Sequence, residues 1–352
     1  MPERKRTLAV TGLNATDNPA PGVPVVRSVR HSPGWRGKVV GLAYDSFDTG
    51  IYDENVFDAV YMIPYPTEGE ENLLQRLRYV VEKEKIDVVI PTLDSELANF
   101  SRIEPDLKTL GTQMLIPTEY HLTLRSKLNL AKFCAVNSIP VPRTMIANDP
   151  GQIPMAAAQF GLPLVIKGIF YEAMVANSVT EGVTHFNKIK TRWGLPIILQ
   201  EYIAGEEYCV VGLGNRKGKA LGAVPMRKLR LTEKGKGWAG ITVGDEELLD
   251  LARRTMAALK WVGPLELEFM RATVSQKFFL LEINPRFPAW VYLAARAGQN
   301  LPLAAVRLAA GEDVKPFEKH DVGVIFVRHA VDIVCPIDYL GQLTTDGELH
   351  YS

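Results

Sequence analysis

The stretch FFLLEINPRFPAW, residues 278–290, decides how the rest of this 352-residue chain is read. It begins as an apolar strand and ends in a turn that carries Glu282, Asn284 and Arg286. Residues two apart share a strand face. Glu282 and Asn284 are therefore expected on one side, with Phe279, Leu281 and Ile283 turned into a core on the other. Just upstream, LELEFM at 265–270 places Leu265, Leu267 and Phe269 on one face and Glu266 and Glu268 on the opposite one. The polar residues 271–277 are few enough to fold the two strands into a hairpin. Two or three carboxylates and one amide oxygen would then share one side of a sheet. Hard oxygen donors of this kind suit Mg²⁺, which keeps waters and substrate phosphates in its shell, and Arg286 would add a fixed charge beside it. A solvated outer hairpin face is the plainer alternative. The Asn-Pro-Arg turn directly after the carboxylates favours the metal–phosphate reading.

Length and composition bound the rest. A chain of 352 residues is long for one core and suggests two or three α/β lobes. Lys+Arg and Asp+Glu are both 40, which removes any global electrostatic case for nucleic acid or an anionic membrane. No apolar run approaches the ~20 residues of a transmembrane helix. The opening MPERKRTLAVTG enters a strand without a signal-peptide stretch. Three scattered cysteines (Cys134, Cys209, Cys335) make no disulfide framework and fit a reducing cytoplasm. The six histidines show no metal-ligand spacing, so histidine-bound zinc is not expected.

Apolar strands are expected at 7–11, 39–43, 59–63 and 87–91, with an amphipathic helix at 72–84 and a helix after PTLDSE capped by Asp94 or Ser95. That alternation gives an α/β lobe with a mainly parallel sheet, ending near residue 117. Its first loop, GLNATDNPAPG, lacks GxGxxG, so a dinucleotide site is poorly supported. A helix is expected over 126–137, capped by Ser126, with Lys127 in its first turn; taken alone, Lys127 reads equally as an exposed helix lysine. FGLPLVIK at 160–167 is a turn and a buried strand closed by Lys167, whose ammonium can meet a phosphate as a point charge. The next residues are GIFYEAMVANS, not a glycine-rich phosphate cradle. A further buried strand, LPIILQEY, leads through Gln200, Glu201 and Ile203, whose backbone could face a purine edge, to Glu207, which could accept from ribose hydroxyls. A solvated acidic corner at Glu201, Glu206 and Glu207 is the alternative. Residues 227–237, RKLRLTEKGKG, carry five basic residues and one acidic. They read as a surface turn or as a mobile lid gripping an anion. Helices at 245–260, 291–298 and 303–310 and one or two closing strands at 323–334 complete the chain.

The order Lys127, strand-end Lys167, QEYIAGEEY and ELEF…FLLEINPRF resembles the ATP-grasp superfamily, in the branch of carbamoyl-phosphate synthetase and biotin carboxylase. The resemblance implies an α/β ATP-grasp fold with a preATP-grasp lobe at 1–118, a small ATP-grasp subdomain at 119–204 and a C-terminal subdomain at 205–352. It implies ATP and Mg²⁺ (or Mn²⁺) as cofactors. Lys127 and Lys167 fall on the phosphate-binding positions, Gln200, Glu201 and Ile203 on the adenine hinge, and Glu207 on the ribose carboxylate. Gly240, Ile241 and Thr242 resemble a glycine turn beneath the nucleotide. Glu268, Glu282 and Asn284 fall on the metal ligands, and Arg286 with Lys167 on the catalytic positions. Two departures stand out: Ile169-Phe170-Tyr171-Glu172 replaces the glycine-rich loop, and FPAW after Asn-Pro-Arg is bulky where many relatives carry small residues.

The implied reaction is ATP-dependent activation of a carboxylate as an acyl phosphate, followed by amide formation. The expected partners are small-molecule or peptide carboxylates and amines, with no nucleic acid or membrane and with a homodimer as the assembly. The chemistry needs charge neutralisation and positioning more than a protein nucleophile, which agrees with the lack of a Ser-His-Asp or Cys-His arrangement. A phosphotransferase and a non-catalytic nucleotide sensor are the competing readings.

Overall fold

The computed structural model describes residues 5–16, 19–169, 172–233 and 235–351. The chain forms two compact units. Unit 1 comprises Met1–Glu119, Cys209–Glu266 and Asn284–Ser352, and unit 2 comprises Tyr120–Tyr208 and Leu267–Ile283. The strands of the amino-terminal region are β1 (Thr7–Val10), β2 (Lys38–Ala43), β3 (Ala59–Met62) and β4 (Val88–Ile90). Next come β5 (Thr144–Ala147), β6 (Leu164–Gly168), β7 (Ala173–Ala176) and β8 (Ile197–Glu201). Then follow β9 (Gly205–Gly214), β10 (Ala220–Leu231), β11 (Gly237–Thr242), β12 (Gly263–Ala272) and β13 (Phe278–Asn284). The last two are β14 (Ile325–Val327) and β15 (Glu348–His350).

In unit 1 the first four strands form a parallel sheet in the order β3-β2-β1-β4, and β15 adds to it antiparallel beside β3. Leu8, Val10, Val39, Val60 and Val88 are fully buried. Near-continuous apolar strands are what a parallel sheet covered on both faces requires. Helices Gly22–Arg30 and Glu70–Glu84 make the crossovers, the second burying Leu73, Leu77, Val80 and Val81 at helical spacing. Helices Val291–Arg296 and Leu301–Ala309 pack into the same core. The α/β lobe expected from the sequence is present.

In unit 2, four antiparallel strands run in the order β5-β8-β6-β7. Helices Ile153–Phe160 and Val179–Trp193 cover this sheet through Ile153, Ala156, Phe186 and Ile189. A third sheet has the order β13-β12-β9-β10-β11-β14. The unit boundary falls within β9, β12 and β13, so each of these strands contributes residues to both units.

Three local expectations change, and the basic run takes its place between two strands. The helix near Lys127 is Leu130–Val136; residues 126–129 form a turn, because Asn129 and Leu130 both donate backbone hydrogen bonds to the Ser126 carbonyl. Asp94 does not cap helix Leu97–Thr109, since its carboxylate turns to Arg286. Of the basic run, 227–231 end β10 and Gly237 opens β11, and Thr232 N donates to the Lys236 carbonyl at 2.7 Å, in keeping with a surface turn. On β13, Phe278 and Leu280 are fully buried while Phe279 and Leu281 are only partly so. The face that carries Glu282 is therefore not a solvated one at its start, where the Phe278 ring meets Tyr208 and Phe269 edge-on.

Candidate functional site

Unit 2 gathers the two lysines singled out in the sequence. Lys167 comes from the end of β6, opposite Ile198 of β8. Lys127 comes from the turn before helix Leu130–Val136, and its ammonium lies 3.5 Å from a Glu282 carboxylate oxygen. The side chain of Lys167 is half-buried. Desolvation holds its pKa below the ordinary lysine value and neighbouring Lys127 pushes the same way, against the attraction of Glu282, Glu268 and Glu207. Two cations and three carboxylates thus share one electrostatic neighbourhood. Beside it is a narrow cleft walled by Lys127, Lys167, Thr144, Gln200, Leu280 and Leu281. Its volume is about 20 Å³, about one water molecule, so a purine would have to part these walls.

At the edge of this cleft Gln200 donates to the Thr144 hydroxyl at 3.1 Å, which fixes its amide. Glu201 is turned elsewhere. Arg143 grips it bidentately at 2.8 and 3.0 Å and holds its carboxyl below the usual range. The Glu201 backbone N–H also donates to the Arg143 carbonyl, at 2.9 Å. Ile203 is a partly buried residue of the connection to β9.

Unit 1 holds the remaining acidic and basic candidates. Asn284 donates through Nδ2 to Glu266 at 3.1 Å, and the Trp290 indole donates to the other oxygen of Glu266 at 2.6 Å. Arg286 donates through Nε to Asp94 at 2.8 Å and lies 3.6 Å from Glu266. Arg328 donates to the Gly237 carbonyl at 2.8 Å. Lys236 feels Arg286, Glu266, Arg328 and Asp94. A mixed cluster of three cations and two carboxylates results.

The loop bearing Asp94 is itself fixed from below. Glu96 is fully buried and accepts from the Thr11 hydroxyl at 2.5 Å, from Thr92 N at 2.7 Å, from Leu93 N at 2.8 Å and from the Tyr44 hydroxyl. Burial nevertheless raises its carboxyl pKa. Gly12, at φ +66°, leaves room here that a Cβ would take from Thr92 Oγ1, 2.2 Å away.

Gly240, Ile241 and Thr242 lie inside β11, paired on both sides by β10 and β14, not in a turn. The Thr242 hydroxyl donates to the Asp321 carbonyl at 2.8 Å. A Cβ on Gly240 would fall 2.4 Å from Met226 Sδ and 2.8 Å from the Phe326 ring, so sheet packing explains the glycine. Ile169 and Glu172 of the replaced loop are described, whereas Phe170 and Tyr171, like Lys234 of the basic run, lie outside the described residues.

Sequence reasoning missed Arg328, Asp94 and the inward role of Glu266. Arg328 could have been found, because it closes the strand IFV as Lys167 closes LVIK. Among the described residues no three His, Cys, Asp or Glu side chains form a metal cage of their own. An ion held by two carboxylates, an amide oxygen, waters and phosphates does not require one. No helix among the described residues is long and apolar enough to cross a membrane.

Several solved structures share this fold. The biotin carboxylase domain dimer of Hydrogenobacter thermophilus 2-oxoglutarate carboxylase, solved with MgADP, ADP and bicarbonate, matches at TM-score 0.70 and 14% identity, over 92% of this chain and 74% of that one. The ADP complex of N5-carboxyaminoimidazole synthetase from Staphylococcus aureus matches at TM-score 0.66 and 14% identity, over 90% and 80%. The L-amino acid ligase of Bacillus licheniformis matches at TM-score 0.62 and 17% identity, over 88% and 75%. With the two units and three sheets described above, these likenesses define the class: the chain has the ATP-grasp fold. Within that class, residues 195–330 match the family described as ATP-grasp in the biosynthetic pathway with Ter operon.

Proposed function

We propose that the chain is an ATP-dependent carboxylate–amine ligase that releases ADP and phosphate. The observation that carries this reading is the convergence in unit 2 of Lys127 and Lys167 on Glu282, beside the cleft walled by Gln200 and Thr144. A partly desolvated lysine pair suits a polyanion, and the leucine-walled cleft would take a purine once its walls part. Lys127 and Lys167 would hold nucleotide phosphates. Gln200 and the backbone at Glu201 and Ile203 would meet the base, and Glu207 the ribose. Glu268, Glu282 and Asn284 would hold Mg²⁺ or Mn²⁺, an all-oxygen set that fits such an ion, and the ion would supply neutralisation of phosphate charge. For Gly240, Ile241 and Thr242 the close packing of β11 against Met226 and Phe326 supports a role within the sheet of unit 1.

In the proposed reaction a substrate carboxylate oxygen bonds to the γ-phosphorus as the bond to the β–γ bridging oxygen breaks, releasing ADP. The amine nitrogen then bonds to the acyl carbon, the carbon–oxygen bond to phosphate breaks, and the amine gives up a proton. Arg286, held by Asp94, would face the anionic groups, with Lys236 and Arg328 as further cations in unit 1. The L-amino acid ligase with the same fold supports amide formation as the outcome. A homodimer is the assembly we propose, and the free thiols Cys134, Cys209 and Cys335 support a reducing compartment such as the cytoplasm.

The test is a panel of carboxylates screened for ADP release, with and without amines, followed by hydroxylamine trapping. An acyl phosphate is electrophilic at carbon and should give a hydroxamate that depends on ATP, Mg²⁺ and the acid. ADP release with no hydroxamate at saturating hydroxylamine would replace the ligase by a phosphotransferase. Binding of ATP without any ADP release across the panel would leave a sensor.

A further inference from the structure

We propose that Glu266 and Trp290 are positioning residues that decide which end of the Asn284 amide is offered to the metal; this rests on the reading of Asn284 as a metal ligand. An amide side chain carries one oxygen acceptor and one NH₂ donor, and only the oxygen can ligate a hard cation. Glu266 and Asn284 are each only 6% exposed. The Trp290 indole donates to one Glu266 oxygen and the Arg286 guanidinium lies 3.6 Å from the other, so that oxygen faces donors, and Asn284 meets it with Nδ2 at 3.1 Å. That leaves Oδ1 as the atom turned away from Glu266.

Glu266 needs its own restraint, because a carboxylate rotated out of this position would compete for the ion. The Trp290 indole provides it. An indole N–H can only donate, and at 2.6 Å it occupies the Glu266 oxygen that Asn284 does not use. Arg286, 3.6 Å away, adds positive charge on the Asn284 side. The bulky residue in FPAW thereby acquires a purpose: a small side chain at position 290 would leave this oxygen of Glu266 without its indole donor. Partners that orient metal ligands typically contribute about 10–100-fold in metal affinity.

The test is Mn²⁺ affinity of the full chain in the presence of ADP, read by electron paramagnetic resonance, with circular dichroism as a check of fold. Glu266→Gln should weaken Mn²⁺ about tenfold, because the new amide can donate to an inverted Asn284. Asn284→Asp alone should also weaken it, since two carboxylates would then face each other. The double variant should recover to within about threefold of the parent, because the introduced glutamine amide would donate to the introduced aspartate, whose two oxygens are equivalent. A purely structural Glu266 would make the losses add, and a Glu266 that binds the ion directly would leave the double variant impaired; either result overturns the proposal. Trp290→Phe keeps an aromatic ring and removes the donor. It should weaken Mn²⁺ in the same direction, and it carries the test if Glu266→Gln does not fold. If the parent binds no Mn²⁺ with ADP, the metal–nucleotide reading itself fails. If the parent binds and neither Glu266→Gln nor Trp290→Phe changes affinity, only the positioning proposal fails.

Discussion

Glu282→Gln should separate the metal from the phosphate-binding lysines in a single titration. In the structure Glu282 lies 3.5 Å from Lys127 and within electrostatic reach of Lys167. At an effective dielectric of about 20, a charge pair at that distance attracts by roughly 5 kcal/mol. About a third of the Glu282 side chain is exposed, and pairs open to solvent retain about 1 kcal/mol after screening and side-chain entropy. The carboxylate therefore competes with nucleotide phosphate for the lysines by about that amount. Without metal, Glu282→Gln should bind ATP up to about fivefold more tightly, the factor equivalent to 1 kcal/mol. With Mg²⁺ the sign reverses. On the proposed reading the parent would use Glu282 on the metal and leave the lysines to phosphate, whereas the variant would lack a charged ligand, so the enhancement of ATP affinity by Mg²⁺ should fall by on the order of 10–100-fold. Calorimetric titration of ATP in EDTA and in saturating Mg²⁺, on both proteins, measures the four affinities. An unchanged Mg²⁺ enhancement in the variant would refute the assignment of Glu282 to the metal, and weaker metal-free binding would refute its competition for the lysines.

Other outcomes follow from the same packing. Lys167→Met should weaken ATP binding without lowering the melting temperature of the ligand-free protein, because it removes a half-buried ammonium beside a second lysine; a large fall in melting temperature with ATP affinity intact would make Lys167 a structural residue. Gly240→Ala should cost about 1–3 kcal/mol in a denaturant titration, since the added methyl overpacks Met226 and Phe326; unchanged stability with lost ATP affinity would return Gly240 to the nucleotide. In unit 1, burial alone would raise the Glu84 carboxyl, but hydrogen bonds from Lys38 and from Tyr61 at 2.5 Å hold it below its ordinary value. That lowered pKa contributes stability above the unfolded value of 4.5, lost as pH falls through the native one. Lys38→Met should therefore cost about 1–3 kcal/mol at neutral pH, with the gap closing in acid; a gap independent of pH would contradict the role of the Glu84 charge.

What was legible in the sequence was the part written in periodicity. The parallel sheet could be read because β1, β2, β3 and β4 are apolar on both faces, and the β12–β13 hairpin because Leu265, Leu267 and Phe269 alternate with two glutamates. Lys127, Lys167 and Glu282 could be named individually, and unit 2 does bring them together. What was not legible is which acid partners which base. Glu201 reads as a hinge residue, but its carboxylate belongs to Arg143, 58 positions away. Asp94 reads as a helix cap because capping and ion pairing ask for the same residue type, and only the fold brings Arg286 within 2.8 Å of it. The glycine at 240 has the composition of a ligand-binding turn, yet Met226 and Phe326 on the neighbouring strands demand it.

The same limit explains why Trp290 first reads only as a departure from the family pattern. A linear pattern shows that a large side chain follows Asn-Pro-Arg, and size alone says nothing of what its indole meets. The donor that matters is one N–H, and its acceptor, Glu266, lies 24 positions upstream on another strand. Neither strand alternation nor turn chemistry carries information about that pairing. It emerges because β12 and β13 are neighbours, which brings Glu266 to Asn284, and because the turn after β13 then returns the indole to the same carboxylate. Two features that look unrelated in sequence, an extra glutamate in ELEF and a tryptophan in FPAW, thus depend on each other: removal of the indole leaves a buried carboxylate short of a donor, and removal of the carboxylate leaves a buried indole N–H without an acceptor. A buried polar group that loses its partner costs about 1–3 kcal/mol, so each residue makes the loss of the other more destabilising. That mutual dependence is the physical reason to treat the pair as one device built around Asn284.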